Sequence, residues 1–240
     1  MKDLMTAKPM LDPQKICFIT CVNNEALYAR CLAFLKLLVV PPEITVEYKA
    51  VREAASMCAG YNKTMFASDA KYKIYLHQDA CIIYPYFIQR VLRIFSEQNA
   101  GLLGVVGAQT LPDSCVWWQS EYCCGRVIDS VAGFLRDIVY PLRNMQTSSE
   151  VFVVDGLLMA TQYDLPWRED LFKGWHFYDL AQSLEFHKAR YKTVVPLQPC
   201  PWVLHDCGIA KINHYTEYSE IFRTEYQKII TAQRESFVNK

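Results

Sequence analysis

The sequence predicts an α/β domain: a mainly parallel sheet with helices on both faces. Three observations lead there. Apolar runs of strand length alternate with segments of helical periodicity through residue 109. Polar residues gather at the C-terminal ends of those runs, the edge where such sheets bind ligands. The chain has 240 residues, of which 52% are hydrophobic and 13% aromatic, enough for one sizeable core.

Taken in order, residues 1–13 read as a loose tail. Residues 15–24 (KICFITCVNN) read as a buried first strand ending in Asn23 and Asn24. EALYARCLAFLKLL has helical spacing and stops at Pro41 and Pro42. Residues 44–51 alternate as a second strand, and REAASMCAGYNKTMFAS is helix-like. KYKIYLHQDACII reads as a single third strand, residues 86–98 as an amphipathic helix, and GLLGVVGAQ as a fourth strand. Residues 110–149 lack a clear period. They are expected to form a lid-like insertion over the sheet edge, with a short strand at CCGRVI and a short helix at SVAGFLRDIV. SEVFVVDGLLMATQ reads as one long strand containing Asp155-Gly156. It is followed by a helix over 178–189, a strand at YKTVVPLQ, and a C-terminal amphipathic helix within 211–240. Residues 14–240 are therefore expected to be one domain, divided at 14–109, 110–149, 150–210 and 211–240.

Lys plus Arg equals Asp plus Glu at 25 each, which argues against a nucleic-acid binder. The N-terminal residues are polar, and the longest apolar stretch, CLAFLKLLVV, is interrupted by Lys36, so a cytoplasmic protein without a membrane span is expected. The 10 cysteines include no CxxC pair and mostly sit in apolar segments, as expected for buried free thiols.

Four polar clusters interrupt the apolar pattern: His77-Gln78-Asp79, Asp155-Gly156, GWHFYD (residues 174–179) and VLHDCG (residues 203–208). Asp79, His176, Asp179, His205 and Asp206 are placed to converge on one sheet edge. A carboxylate and an imidazole there would suit a divalent cation whose remaining positions are filled by phosphate oxygens and water. Plainer roles exist. Asp179 near a helix start could simply cap it, His205 could be a satisfied buried histidine, and Trp117, Trp118 and Trp175 are either core or platforms for a sugar face. An unpartnered charge such as Asp79 inside an apolar run has no such plain role.

AGYNKTMFASDAKYKIYLHQDACII resembles the R-N-x-G, helix and strand-to-D-x-D stretch of family 2 glycosyltransferases, and FYDLAQSLEFHKARYKTVVP resembles their E-D-x-D-L segment. YNKTM, YLHQD, DGLLMATQYDLPWRED, GWHFYD and HDCG together resemble the bacterial glycosyltransferase-like family. The resemblance implies a GT-A fold and transfer of a sugar from a nucleotide-sugar, expected to be a UDP-sugar, to a glycan or other hydroxyl acceptor. It implies Mn²⁺ or Mg²⁺ held by Asp79 and His205, and a nucleotide-binding first half. Donor contacts are expected from Val22, Asn23, Asn24, Glu25, Asn62, His77, Gln78, Asp155 and Gly156, and sugar stacking from Trp117, Trp118 and Trp175.

Two departures stand out. His77 replaces the first Asp of D-x-D, so a weaker, donor-dependent ion site is expected. Phe177 occupies the usual base position, leaving Asp179 or His176 as the base of an inverting reaction. A catalytically silent domain that binds a nucleotide-sugar, glycan or protein is the alternative.

Overall fold

The computed structural model describes residues 10–131, 133–141, 147–208 and 213–238; residues 1–9 of the expected tail lie outside it. The first strand, β1 (Asp12–Val22), begins three residues before the expected start and is buried from Ile16 onward. Asn24 ends it by capping α1 (Glu25–Leu35), its side chain accepting from the N–H groups of Ala26 and Leu27. After β2 (Thr45–Arg52), Ser56 caps α2 (Met57–Ala67) in the same way through the Ala59 N–H. Both β2 and β3 (Ala70–Leu76) pair in parallel with β1.

Successive side chains of a strand face opposite ways, so Tyr72 and Tyr75 of β3 mark its two faces. Tyr61 of α2 packs on Tyr75, with ring centroids 4.8 Å apart. Phe95 of α3 (Phe87–Gln98) stacks on Tyr72. Helices thus cover both faces, as expected.

Three expected strands prove to be broken: two divide into two strands each, and the third, which starts within a short strand at Ser148–Glu150, into three. KYKIYLHQDACII leaves the first sheet after Leu76, turns at residues 77–79, and re-enters a second sheet as β4 (Ala80–Ile82). The Gln78 side-chain oxygen holds this turn against the end of β1, accepting from the N–H groups of Asn23 and Asn24. GLLGVVGAQ divides into β5 (Ala100–Gly104) and β6 (Val106–Ala108), again in different sheets.

The 110–149 region forms β7 (Cys123–Val131) and β8 (Phe134–Tyr140), an antiparallel pair, in place of the expected helix. Gly133 at the connection has φ +83, a conformation glycine takes at little cost. After β9 (Ser148–Glu150), the third divided run gives β10 (Val153–Val154) and β11 (Leu158–Thr161), so Asp155-Gly156 lies in a turn. Then follow α4 (Tyr178–Lys188), β12 (Lys192–Pro196), β13 (Val203–His205) and α5 (Tyr215–Val238).

The larger sheet has the order β2-β1-β3-β11-β5-β12-β9. β11 is antiparallel to both β3 and β5, and β12 is parallel to β5, so five of the seven strands share one direction. The smaller sheet has the order β10-β6-β7-β13-β4, with β8 on the far side of β7.

Lys73 of β3 is fully buried and pairs with Asp164 at 2.8 Å. Breaking such a pair leaves a charge in the interior without its counter-charge. Lys73→Met is therefore expected to cost about 3–5 kcal/mol by urea unfolding, and adding Asp164→Leu to recover most of it. The C-terminal helix docks through Phe222, Tyr226 and Ile230, all buried, and Arg168 ties it down by bonding Asp170, Glu185 and Glu225. All ten cysteines are free thiols, and Cys200 is the exposed one. No helix among the described residues is long and apolar enough to cross a membrane.

Candidate active site

The turn at residues 77–79 joins the two sheets, and the site is built on that seam. In the smaller sheet β13 lies between β4 and β7, which sets His205 opposite Ala80 on one side and Asp129 on the other. His205 Nε2 lies 3.4 Å from Asp79 Oδ1 and 3.3 Å from His77 Nδ1. These three ligand atoms all fall within 4.8 Å of one another. On the outer side, His205 Nδ1 meets Asp129 Oδ1 at 3.0 Å, and His77 Nε2 meets the Tyr178 hydroxyl at 2.5 Å.

Electrostatics follow from this packing. Burial would raise the Asp79 pKa, but the His205 and His77 imidazoles beside it pull it down to about 2. Burial would lower the His205 pKa, but Asp129 and Asp79 on either side outweigh it and hold it well above the usual imidazole value. His77 is shifted the other way, by burial and then by the neighbouring His205 charge.

A divalent cation fits this set. Asp79 Oδ1 is buried and makes no hydrogen bond, a cost that a cation would remove. Ligands about 2.1 Å from one ion, at adjacent octahedral or tetrahedral positions, stand about 3.0–3.5 Å apart. The separations around His205 Nε2 match.

A cavity of about 210 Å³ opens beside this cluster, lined among others by Asp155, His176, Tyr178 and Asp179. Asp179, in the first turn of α4, accepts from the Gly156 N–H at 2.8 Å. Its pKa rises to about 7 because it is buried and because Asp155 is close. Asp155 is itself fixed by the Trp117 indole N–H at 2.8 Å and the Leu157 N–H at 2.8 Å. A methyl group at position 156 would sit 2.2 Å from the Tyr178 hydroxyl oxygen and 3.0 Å from Asp179 Cβ, so only glycine allows this approach. His176 is half-buried in the same wall, and burial lowers its pKa. Trp118 and Trp175 also line the cavity and stay about half exposed.

Several sequence candidates fall elsewhere. Asn62 is buried, and its amide bonds the Trp167 backbone at both ends, so it fixes a loop and does not line the cavity. Glu25 is exposed and pairs with Arg52. Asn23 and Asn24 hold Gln78, and Val22 is buried at the end of β1. Asp206 turns away to Arg30 at 2.8 Å. Phe177 is buried against Tyr215 and Phe222. Asp129, Tyr178 and Tyr215 belong to the site but were not picked out from the sequence. The one available signal was Tyr178 lying directly before Asp179.

A model of the family described as "Glycosyltransferase like family" matches residues 17–226. No protein of curated function matches the sequence significantly. The crystal structure of S. aureus TarS 1-349 in complex with UDP superimposes with a TM-score of 0.54 at 10% identity, covering 88% of this chain and 65% of that one. The mannosyltransferase PcManGT from Pyrobaculum calidifontis, in complex with GDP-Man and Mn²⁺, gives 0.51 at 10% identity, covering 83% and 58%. The chain thus spans less than two thirds of the length of either. At that identity the likeness concerns the fold. The family match, however, runs over most of the chain, and the mixed α/β architecture agrees with it: the protein belongs to the glycosyltransferase-like family, related to family 2, and has a GT-A-type fold.

Proposed function

We propose that the protein is a metal-assisted glycosyltransferase. It moves a sugar from a nucleotide-sugar, with a UDP-sugar the expected donor, to a glycan or other hydroxyl acceptor, with inversion. The observation that carries this is one cavity bordered by both an ion-ligand cluster and a buried carboxyl group with a pKa near 7. A general base works best when its pKa lies near the working pH.

Asp79 and His205 hold the divalent ion, Mn²⁺ or Mg²⁺, which when bound neutralises charge on the departing diphosphate. Asp179 takes the proton of the acceptor hydroxyl as that oxygen bonds to the anomeric carbon and the bond to the diphosphate breaks. The Gly156 N–H aims the carboxylate, and Asp155 faces the sugar hydroxyls. Trp118 and Trp175 offer apolar faces to a sugar at the cavity rim. Residues 14–109 contribute the donor side, 150–210 the catalytic side, and 110–149 the cover. Ten free thiols suit a reducing compartment, consistent with a cytoplasmic enzyme.

The test is calorimetry with UDP, GDP and dTDP, with and without Mn²⁺, alongside release of nucleotide from the matching sugar donors. Metal-dependent binding of one nucleotide and turnover abolished by Asp79→Asn are expected. Nucleotide binding without any turnover would make the protein a silent binding domain; no nucleotide binding at all would exclude the transferase and leave a silent domain that binds a glycan or protein.

A further inference from the structure

His77 stands where relatives of this plan carry a carboxylate, and its surroundings are specific. Its Nδ1 faces His205 Nε2 at 3.3 Å, inside the cluster that includes Asp79. Its Nε2 is taken by the Tyr178 hydroxyl. His205 is arranged the same way, with Nε2 toward the cluster and Nδ1 on Asp129. An imidazole ligates through the nitrogen that carries no proton, and a hydrogen bond from the other N–H selects that tautomer and fixes the ring. Here both histidines have an oxygen partner on the outer nitrogen, and their inner nitrogens face each other beside Asp79 Oδ1, which lies 3.4 Å from His205 Nε2.

We propose that His77 is a third metal ligand. With Asp79 and His205 it forms a two-imidazole, one-carboxylate face that selects first-row transition ions over Mg²⁺ and retains them without nucleotide. Tyr178 and Asp129 are positioning residues for the two rings. The inference rests on the glycosyltransferase reading for the ion's purpose but not for its coordination. The selectivity has a direct cause. Mg²⁺ favours oxygen ligands and gives up water reluctantly, whereas imidazole nitrogen suits later ions, and two histidines with one carboxylate on one face is an arrangement associated with transition metals. Three protein ligands also hold an ion with fewer contributions from phosphate. The sequence alone suggested the opposite, a site weakened by the loss of a carboxylate.

The experiment is a Mn²⁺ titration of the full chain without nucleotide, followed by electron paramagnetic resonance with Mg²⁺ as competitor. Pulsed measurement of ¹⁴N coupling then counts the imidazoles on the ion. The native protein is expected to show two coupled nitrogens and to need at least ~10-fold more Mg²⁺ than Mn²⁺ for half displacement. His77→Ala should leave one nitrogen and weaken Mn²⁺ by about 10- to 100-fold, and His77→Asp should restore binding while removing the preference over Mg²⁺. Asp129→Asn should weaken binding about 10-fold with both nitrogens retained. Circular dichroism checks that each variant is folded.

One coupled nitrogen in the native protein, or equal competition by Mg²⁺, would overturn the inference. UDP binding measured on the same samples separates the two proposals. If UDP still binds with metal while only one nitrogen is seen, His77 is not a ligand and the proposed function stands.

Discussion

Replacing Asp179 by Asn is expected to lower kcat by about 10²- to 10⁴-fold, the usual contribution of a general base. Donor binding should change little, because the ion cluster is formed by other residues. Asn keeps a side-chain oxygen for the Gly156 N–H, so the loss would report proton transfer and not collapse of the wall. With Asp179 as the proposed base, kcat should rise about tenfold per pH unit and level near pH 7, since burial and Asp155 raise its pKa to about 7.

Stability should move in the opposite direction. The folded pKa lies above the model value of 3.8, so between these values the native state binds more protons than the unfolded one. Stability is then fully present below about pH 4 and is lost as pH rises toward 7. Asp179→Asn lacks this slope. It should be more stable than the native protein at pH 8, on the order of a few kcal/mol by urea unfolding. A variant that is inactive yet more robust at high pH would distinguish a general base held at a cost in stability from a helix cap, whose removal only destabilises.

Gly156→Ala should be severely damaging at the site itself. The added carbon would meet the Tyr178 hydroxyl oxygen at 2.2 Å and Asp179 Cβ at 3.0 Å. Tyr178 cannot retreat: it is buried, with the rings of Tyr61 and Trp167 each 6.0 Å from its own. The α4 start has to shift instead, moving the base and pulling the hydroxyl from His77 together. A fall of at least ~10²-fold in kcat is expected, with about 1–3 kcal/mol of lost stability. Gly156→Ser should do no better. A variant retaining native kcat would mean that α4 does not set the catalytic geometry.

The order of elements was legible because local signals and burial agree. Asn24 and Ser56 cap their helices, prolines follow the first helix, and the strand interiors are apolar on both faces. The breaks were not legible. Leu76 and Ala80 are equally buried, so the run reads as continuous although residues 77–79 change sheet. SVAGFLRDIV has apolar spacing compatible with a helix, and the decision went to pairing with β7 and to the turn at Gly133. Asp79 and His205 could be singled out because a charge or imidazole within apolar surroundings needs a reason. Asp129 could not, because its role depends on β7 lying in register beside β13, a long-range pairing. Tyr178 was hidden for another reason, since a buried tyrosine beside apolar residues reads as core.

The three runs that pass from one sheet to the other, near residues 77–79, 105 and 155–157, have a consequence for how catalytic work is divided. Each strings the two sheets on unbroken backbone. Any displacement of one sheet against the other would have to be absorbed within a few bonds of Asp79 or Asp155. In the proposed reaction, atoms held there would already be in place when a donor arrives, and little would be lost to rearrangement as charge develops. The exposed side chains around the cavity are then those at its rim, Trp118 and Trp175. Under the proposed function, substitutions at that rim would change which acceptor fits while leaving Asp79 and Asp155 in place.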